Sequence, residues 1–278
     1  MPRPSISWSP CRHLHPAATL GAPALEDLFA RAYVLGLSQI SLHRGLLPSR
    51  APEVLRLVRR RLERHGLQVA LLICEPDFAH PEPQVREAHL HDMQQMIEVA
   101  RILGAPGLQV TAGRRHEDVP REDAVIWVSE LLQRLAEATH RAGLKLGLEN
   151  HVQDRPWAGA DLAHEPEMFL EVCERTKGSP VGVSFDTSGP LMAARDPLTV
   201  LERVRKRVWH VHASDRFPGQ HGHTVVGEGD VDFDAVFKAL ANAGFAGTIS
   251  LVEGGSPSEQ RLARGLRFVR SKVAQWWV

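Results

Sequence analysis

Residues 145–151, KLGLENH, decide the reading of this chain: a short apolar run ends in a carboxylate, Glu149, followed by an imidazole, His151. Three later stretches repeat the pattern. VGVSFDTSG (181–189) carries Asp186, VWHVHASD (208–215) carries His212, and ISLVEGG (249–255) carries Glu253. A polar tip on one buried strand is ordinary. Four on four successive strands, in the second half of a repeating strand–helix chain, point to one metal centre at the mouth of a barrel.

Working outward, apolar and β-branched runs predict strands at 5–9, 39–43, 68–74, 108–111, 145–150, 181–186, 208–214 and 248–253. Amphipathic stretches between them predict helices at 24–35, 87–103, 121–141, 164–176, 198–207, 232–243 and 257–273. In the first, Leu25, Leu28, Phe29 and Ala32 follow helical spacing. Gly36, Gly66, Gly104, Gly143 and Gly244 each stand just past a helix, where a left-handed cap favours glycine. Strands alternating with helices imply a parallel sheet. Eight such units favour a single α/β domain over residues 1–278: a (β/α)8 TIM barrel of eight parallel strands. A dinucleotide fold lacks its GxGxxG support after the first strand. The longest connections, 151–163 and 216–229, follow the fifth and seventh strands and belong on the catalytic face of such a barrel.

Composition narrows the function classes. Lys+Arg and Asp+Glu both number 33 in 278 residues. That balance lacks the basic excess of a dedicated nucleic-acid binder. No run reaches the roughly 18 apolar residues of a membrane span. The start, MPRPSISWSPCRHLHP, lacks the apolar core of a signal peptide. Three scattered cysteines, Cys11, Cys74 and Cys173, do not make a disulfide framework. The expectation is a cytoplasmic, reduced protein with no nucleic-acid or membrane partner.

Side chains alternate along a strand, so a period of two sorts them between inside and outside. Gly147, Glu149 and His151 share one face; so do Gly182, Ser184 and Asp186, and so do Val208, His210 and His212. On the eighth strand the expectation is Ile249, Leu251 and Glu253 inward, and on the seventh Trp209 and Val211 toward the helices. Three buried carboxylates around an imidazole would repel one another unless a cation stood between them. One His with three carboxylates suits a hard divalent ion, Mn2+ or Mg2+.

LGLENH, VGVSFDTSG, HVHASD, VGEGDVDF (226–233) and ISLVEGG come in an order and spacing that resembles the xylose-isomerase-like TIM-barrel superfamily of sugar isomerases and epimerases. The resemblance covers essentially the whole chain. It implies Glu149, Asp186, His212 and Glu253 as ligands of one divalent ion, Mn2+ first, then Mg2+, Co2+ or Zn2+. It also implies Glu149 and Glu253 as the catalytic acid/base pair, acting on a small sugar or polyol-derived ketone through an enediolate. Dehydratases of inosose or 3-dehydroshikimate in the same superfamily give the alternative reading, and a non-catalytic carbohydrate-binding barrel a third. A homodimer or homotetramer is compatible with the family. Many relatives carry a His three residues after the Asp of the sixth strand; here that position is Gly189. A more distant likeness to endonuclease IV-type repair enzymes lacks the extra histidines after strands three and four, where the chain reads ICEPDF and VTAGRR.

His151, Arg155, Arg216, His223 and Glu228 are the candidate substrate contacts, because they lie in the loops after these strands. His210, one layer below His212, reads as a hydrogen-bonded interior histidine. His43 and Cys74 end strands two and three and are candidates to line the pocket. Trp8, Trp157 and Phe217 are candidates to wall it.

Overall fold

Short strands rich in Val, Leu and Ile pair side by side, and amphipathic helices cover their outer faces. The computed structural model describes residues 2–10, 22–152, 160–220, 222–253 and 258–278, with the backbone alone at 22–24 and 253. The strands are β1 (Ser5–Pro10), β2 (Gln39–His43), β3 (Gln68–Cys74), β4 (Gly107–Val110), β5 (Lys145–Glu149), β6 (Val181–Asp186), β7 (Val208–Ala213) and β8 (Thr248–Glu253). They close in chain order into one parallel barrel. The seam is continuous, from Ser5 opposite Thr248 to Pro10 opposite Glu253. The fold is therefore the (β/α)8 barrel that the alternation implies.

The helices are α1 (Ala22–Val34), α2 (Pro52–Arg64), α3 (Pro83–Leu103), α4 (Arg121–Arg141), α5 (Pro166–Arg175), α6 (Gly189–Met192), α7 (Pro197–Val204), α8 (Phe233–Asn242) and α9 (Glu259–Trp276). α2 is the one long helix that the periodicity argument omits. Its sequence, PEVLRLVRRRLER, is dominated by arginine, and Leu55, Val58 and Leu62 alone mark its buried stripe. Among the described residues no helix is long and apolar enough to cross a membrane.

The register sorts the strands into two layers, and it corrects two of the expected orientations. Ile249 and Leu251 lie in the apolar core between strands and helices. The inward residue of β8 is Ser250. Its hydroxyl meets His210 Nε2 at 2.9 Å, Ser7 Oγ at 2.5 Å and Ser41 Oγ at 3.0 Å. The phase of β8 is thus one residue off the expected one, because Ser250 and not Leu251 pairs with His212 and Ser7. Trp8, opposite Ile40, is buried in the same outer core rather than facing the barrel interior.

Trp209 is the second correction. The pairing of β6 with β7 slips between Val183 opposite Val208 and Ser184 opposite His210. The extra residue, Trp209, turns under the barrel, and its Nε1–H donates to Leu146 O at 3.2 Å. Gly107, Gly147 and Gly182 make room for the indole: a Cβ added at each would lie 2.9, 2.9 and 2.6 Å from it. One large ring thus closes the floor, and three glycines on β4, β5 and β6 are the space it occupies.

A methyl at this level has nowhere to go. Gly182→Ala is expected to destabilise the protein by about 1–3 kcal/mol, as overpacked cores do. A denaturant midpoint unchanged from the parent would contradict the packed floor.

Candidate metal centre at the barrel mouth

Four polar residues meet above the Ser250 layer, on β4, β5, β6 and β7. Register puts Gln109 beside Gly147, Glu149 beside Ser184, and Asp186 beside His212. Gln109 joins three of these strands. Its Nε2 donates to Glu149 Oε2 at 2.6 Å, while its Oε1 accepts from Ser184 Oγ at 2.6 Å and meets His212 Nε2 at 2.5 Å. An ionised carboxylate only accepts, so beside ionised Glu149 the amide nitrogen of Gln109 faces it. His212 must then donate from Nε2, which leaves Nδ1 as its lone-pair nitrogen. Nδ1 makes no hydrogen bond among the described residues. A metal-binding histidine is held in this way, with its other ring N–H fixed by an oxygen acceptor.

Asp186 is oriented by the same logic. Its Oδ1 accepts from Ser188 N (2.9 Å), Ser188 Oγ (3.3 Å), Gly189 N (2.7 Å) and Ser214 Oγ (2.6 Å). All four described donors fall on that oxygen. Asn150 ties the β5 and β6 tips together: its Nδ2 donates to Asp186 O at 2.9 Å, and its Oδ1 accepts from Asp186 N at 2.7 Å. This explains Gly189. A Cβ there would lie 2.8 Å from Asn150 O and 3.1 Å from Asn150 Nδ2, so a larger side chain does not fit beside this asparagine.

Burial dominates the electrostatics of the mouth. Desolvation pushes Glu149 up to about 8, with His151 working against the shift and Asp186 adding to it. Desolvation also pushes His212 down to about 4. Burial opposes the charge of Asp186 too, but His223, Arg216, the Ser214 hydroxyl and His212 hold it below its ordinary value. Glu149 Oε1 stands 3.8 Å from His212 Nε2. Among the described residues, no three His, Cys, Asp or Glu form a metal-holding group. Glu253 ends β8 beside Pro10, and its side chain lies outside the described residues.

The expected substrate contacts divide. Arg216 is almost fully buried beside the site; its Nε donates to Ser188 Oγ at 2.9 Å and its guanidinium meets His223 Nε2 at 2.6 Å. His151 has Nδ1 3.7 Å from Asp161 Oδ2, too far for a hydrogen bond. Burial opposes its charge, but Asp161, Glu149 and Glu75 outweigh burial and raise it to about 10. Glu228 is half-exposed and pairs with Arg264 of α9 at 3.1 Å, away from these contacts. Arg155 and Trp157 lie outside the described residues. Cys74 faces the outer core, and burial pushes its thiol up to about 12. His43 does reach the inner face.

Three residues that organise the mouth are absent from the expected set: Gln109, Asn150 and Asp215. Asp215 accepts backbone N–H bonds from Arg216, Gly227, Gly229 and Val231, and so pins the loop after β7. The signal for Gln109 is available in GLQV: a polar side chain in mid-strand needs a buried partner.

A family model described as xylose isomerase-like TIM barrel matches residues 16–272. The chain belongs to that family. An uncharacterised protein of Methanocaldococcus jannaschii is 29% identical over 267 residues, covering 81% of this chain and 89% of its own. An inosose dehydratase of Clostridium botulinum is 21% identical over 256 residues, covering 80% and 83%. Among solved structures, L-ribulose 3-epimerase superposes with a TM-score of 0.79 at 19% identity, covering 99% and 95%. The zinc-bound IolI protein does so at 0.76 and 15%, covering 98% and 99%. At such identities the superpositions establish the shared barrel; members of the family are mostly enzymes.

Below the mouth, His210 is buried, with Nε2 on Ser250 and Nδ1 without a partner, and desolvation pushes it well below its ordinary value. The unfolded chain protonates this ring near pH 6.5, the folded chain only far lower. Its contribution to stability is therefore complete above about pH 6.5 and is lost as pH falls. Each such ring gives a slope of up to about 1.4 kcal/mol per pH unit. His210→Gln is expected to unfold with a shallower acid slope than the parent between about pH 6.5 and 5. Equal slopes in denaturant titrations would show that the ring is already charged.

Proposed function

We propose that this chain is a divalent-metal-dependent isomerase or epimerase of a sugar or sugar-like ketone. The observation that supports it most is the allocation of donors at the mouth. Gln109 and the turn after β6 occupy one side of His212 and of Asp186, and the remaining ligand atoms are an imidazole nitrogen and a carboxylate oxygen. Glu149 and Glu253 complete the proposed ligand set. Its oxygen-rich character favours Mn2+ over Co2+ or Zn2+, with Mg2+ as the nearest substitute. Ser250 and Glu253 are three residues apart, so strict alternation does not carry both to one face. Glu253 joins the set only if the chain leaves alternation at the end of β8.

A bound divalent ion supplies charge that polarises a carbonyl and acidifies the neighbouring C–H. The remaining work belongs to the chain. Glu149, held by the Gln109 amide, is the positioned acid/base group of the site. It takes the proton beside the carbonyl, and Glu253 is its proposed acid/base partner. Return to the adjacent carbon isomerises, and return from the opposite side epimerises. His151, Arg155, Arg216 and His223 are the proposed contacts to substrate oxygens. Glu228, paired with Arg264, is left out of this set.

Dehydration is the second reading, supported by the likeness to inosose dehydratases. It begins with the same proton abstraction and ends with loss of the β-hydroxyl as water. Product mass separates the two, since isomerisation conserves mass.

Solvent deuterium incorporation into the ketone substrate is the direct test. Glu149→Gln is expected to lower exchange by about 100- to 10,000-fold, the usual worth of a positioned acid/base group, with an unchanged melting curve. Exchange at the parent rate would remove Glu149 from the mechanism.

A further inference from the structure

His43 carries an unexplained donor. It ends β2 on the inward face, two residues above Ser41, whose hydroxyl touches Ser250 inside the barrel. Its Nδ1 accepts from Gly45 N at 2.9 Å. Nδ1 therefore holds the lone pair, and in the neutral ring the proton sits on Nε2. That Nε2–H is buried and has no hydrogen-bond partner, on a side chain only 6% exposed. Buried donors are nearly always satisfied, so this one is open to a polar atom from outside the chain. The nearest charged group is Glu75, the first residue after β3. Its Oε2 lies 3.2 Å from Nε2 without the alignment of a hydrogen bond, and the side chain is one-third exposed.

Glu75 opens onto a cavity of about 370 Å3 that Asp77, His80, His89, Arg114 and His151 also line. His151 brings this cavity up to the mouth, two residues from Glu149. The charge of Glu75 is felt at both Glu149 and His151. His151 is the lining residue that this cavity shares with the proposed substrate contacts.

We propose that His43 and Glu75 form a donor–acceptor pair that recognises one hydroxyl group of the substrate, away from the carbon that exchanges its proton. The inference rests on the ketone isomerase or dehydratase reading of the site. A hydroxyl oxygen accepts from His43 Nε2 and donates to Glu75 at the same time. A carboxylate or phosphate oxygen at that point accepts from His43 but has no proton for Glu75, and two anions would face each other. The pair therefore selects a neutral polyhydroxy ketone at this end and discriminates against an anionic one. His43 and Glu75 are specificity-determining residues, not members of the proton-transfer pair.

The test uses full-length, Mn2+-loaded protein with D-tagatose, scyllo-inosose and the monodeoxy forms of each. Solvent deuterium exchange gives kcat/KM for the parent, Glu75→Gln and His43→Phe. For the better ketone, one deoxy form is expected to lose about 10- to 100-fold in the parent, the worth of a hydrogen bond to a charged group. Glu75→Gln is expected to lose a similar factor on the full ketone and little further on that deoxy form. Glu75 is partly exposed, so this variant tests the pair even if His43→Phe fails to fold. Equal losses on the full and deoxy ketones, or no loss on either, would overturn the inference. If Glu149→Gln abolishes exchange while Glu75→Gln still discriminates like the parent, the inference alone fails. If Glu149→Gln exchanges normally, the reading beneath it fails.

Discussion

The side chain of Gln109 gives its donor to Glu149 and its acceptor to His212 and Ser184, and the chemistry of the mouth depends on that allocation. A carboxylate and an imidazole from separate strands are brought together where water is scarce. Such groups cost several kcal/mol when unsatisfied. The amide fixes which nitrogen of His212 carries its proton and which oxygen of Glu149 is engaged. Asn150 and Asp215 do comparable work on main-chain atoms, one between the β5 and β6 tips and the other in the loop after β7.

Beneath this layer the barrel interior is more polar than an ordinary core. Ser7, Ser41 and His210 all meet the Ser250 hydroxyl, and the apolar core lies outside the strands, under the helices. Stability and function thus occupy different layers. The outer jacket and the Trp209 floor hold the barrel shut; the inner polar column leads to the mouth. This separation lets loops and tips vary on one scaffold. Gly189 is an instance: its place at the tip of the sixth strand is set by close packing against Asn150.

Much of this was legible in the chain. Alternation of apolar runs with amphipathic helices, capped by glycines such as Gly104 at φ +76°, implies the barrel directly. The tips with Glu149, Asp186 and His212 were legible because alternation holds on β5, β6 and the upper half of β7. It failed at Trp209 because the β6–β7 pairing slips by one residue there, and local sequence does not announce a slip. On β8 the pairing is continuous; the expected phase was set by the Glu253 tip, and Ser250 is the inward residue instead. Gln109 and the His43–Glu75 pair were hidden for another reason. Their partners are 40, 75 and 103 residues away for Gln109 and 32 positions on for His43, so closure of the barrel alone brings them together.

The central claim is that the strand tips hold one divalent ion. Metal-free protein dialysed to equilibrium against Mn2+ and assayed for bound metal tests it most directly. The account predicts about one ion per chain, with binding lost in Asp186→Asn and favoured at pH above the range where His212 takes up a proton. No bound ion in the parent, or an ion held equally well by Asp186→Asn, would contradict it.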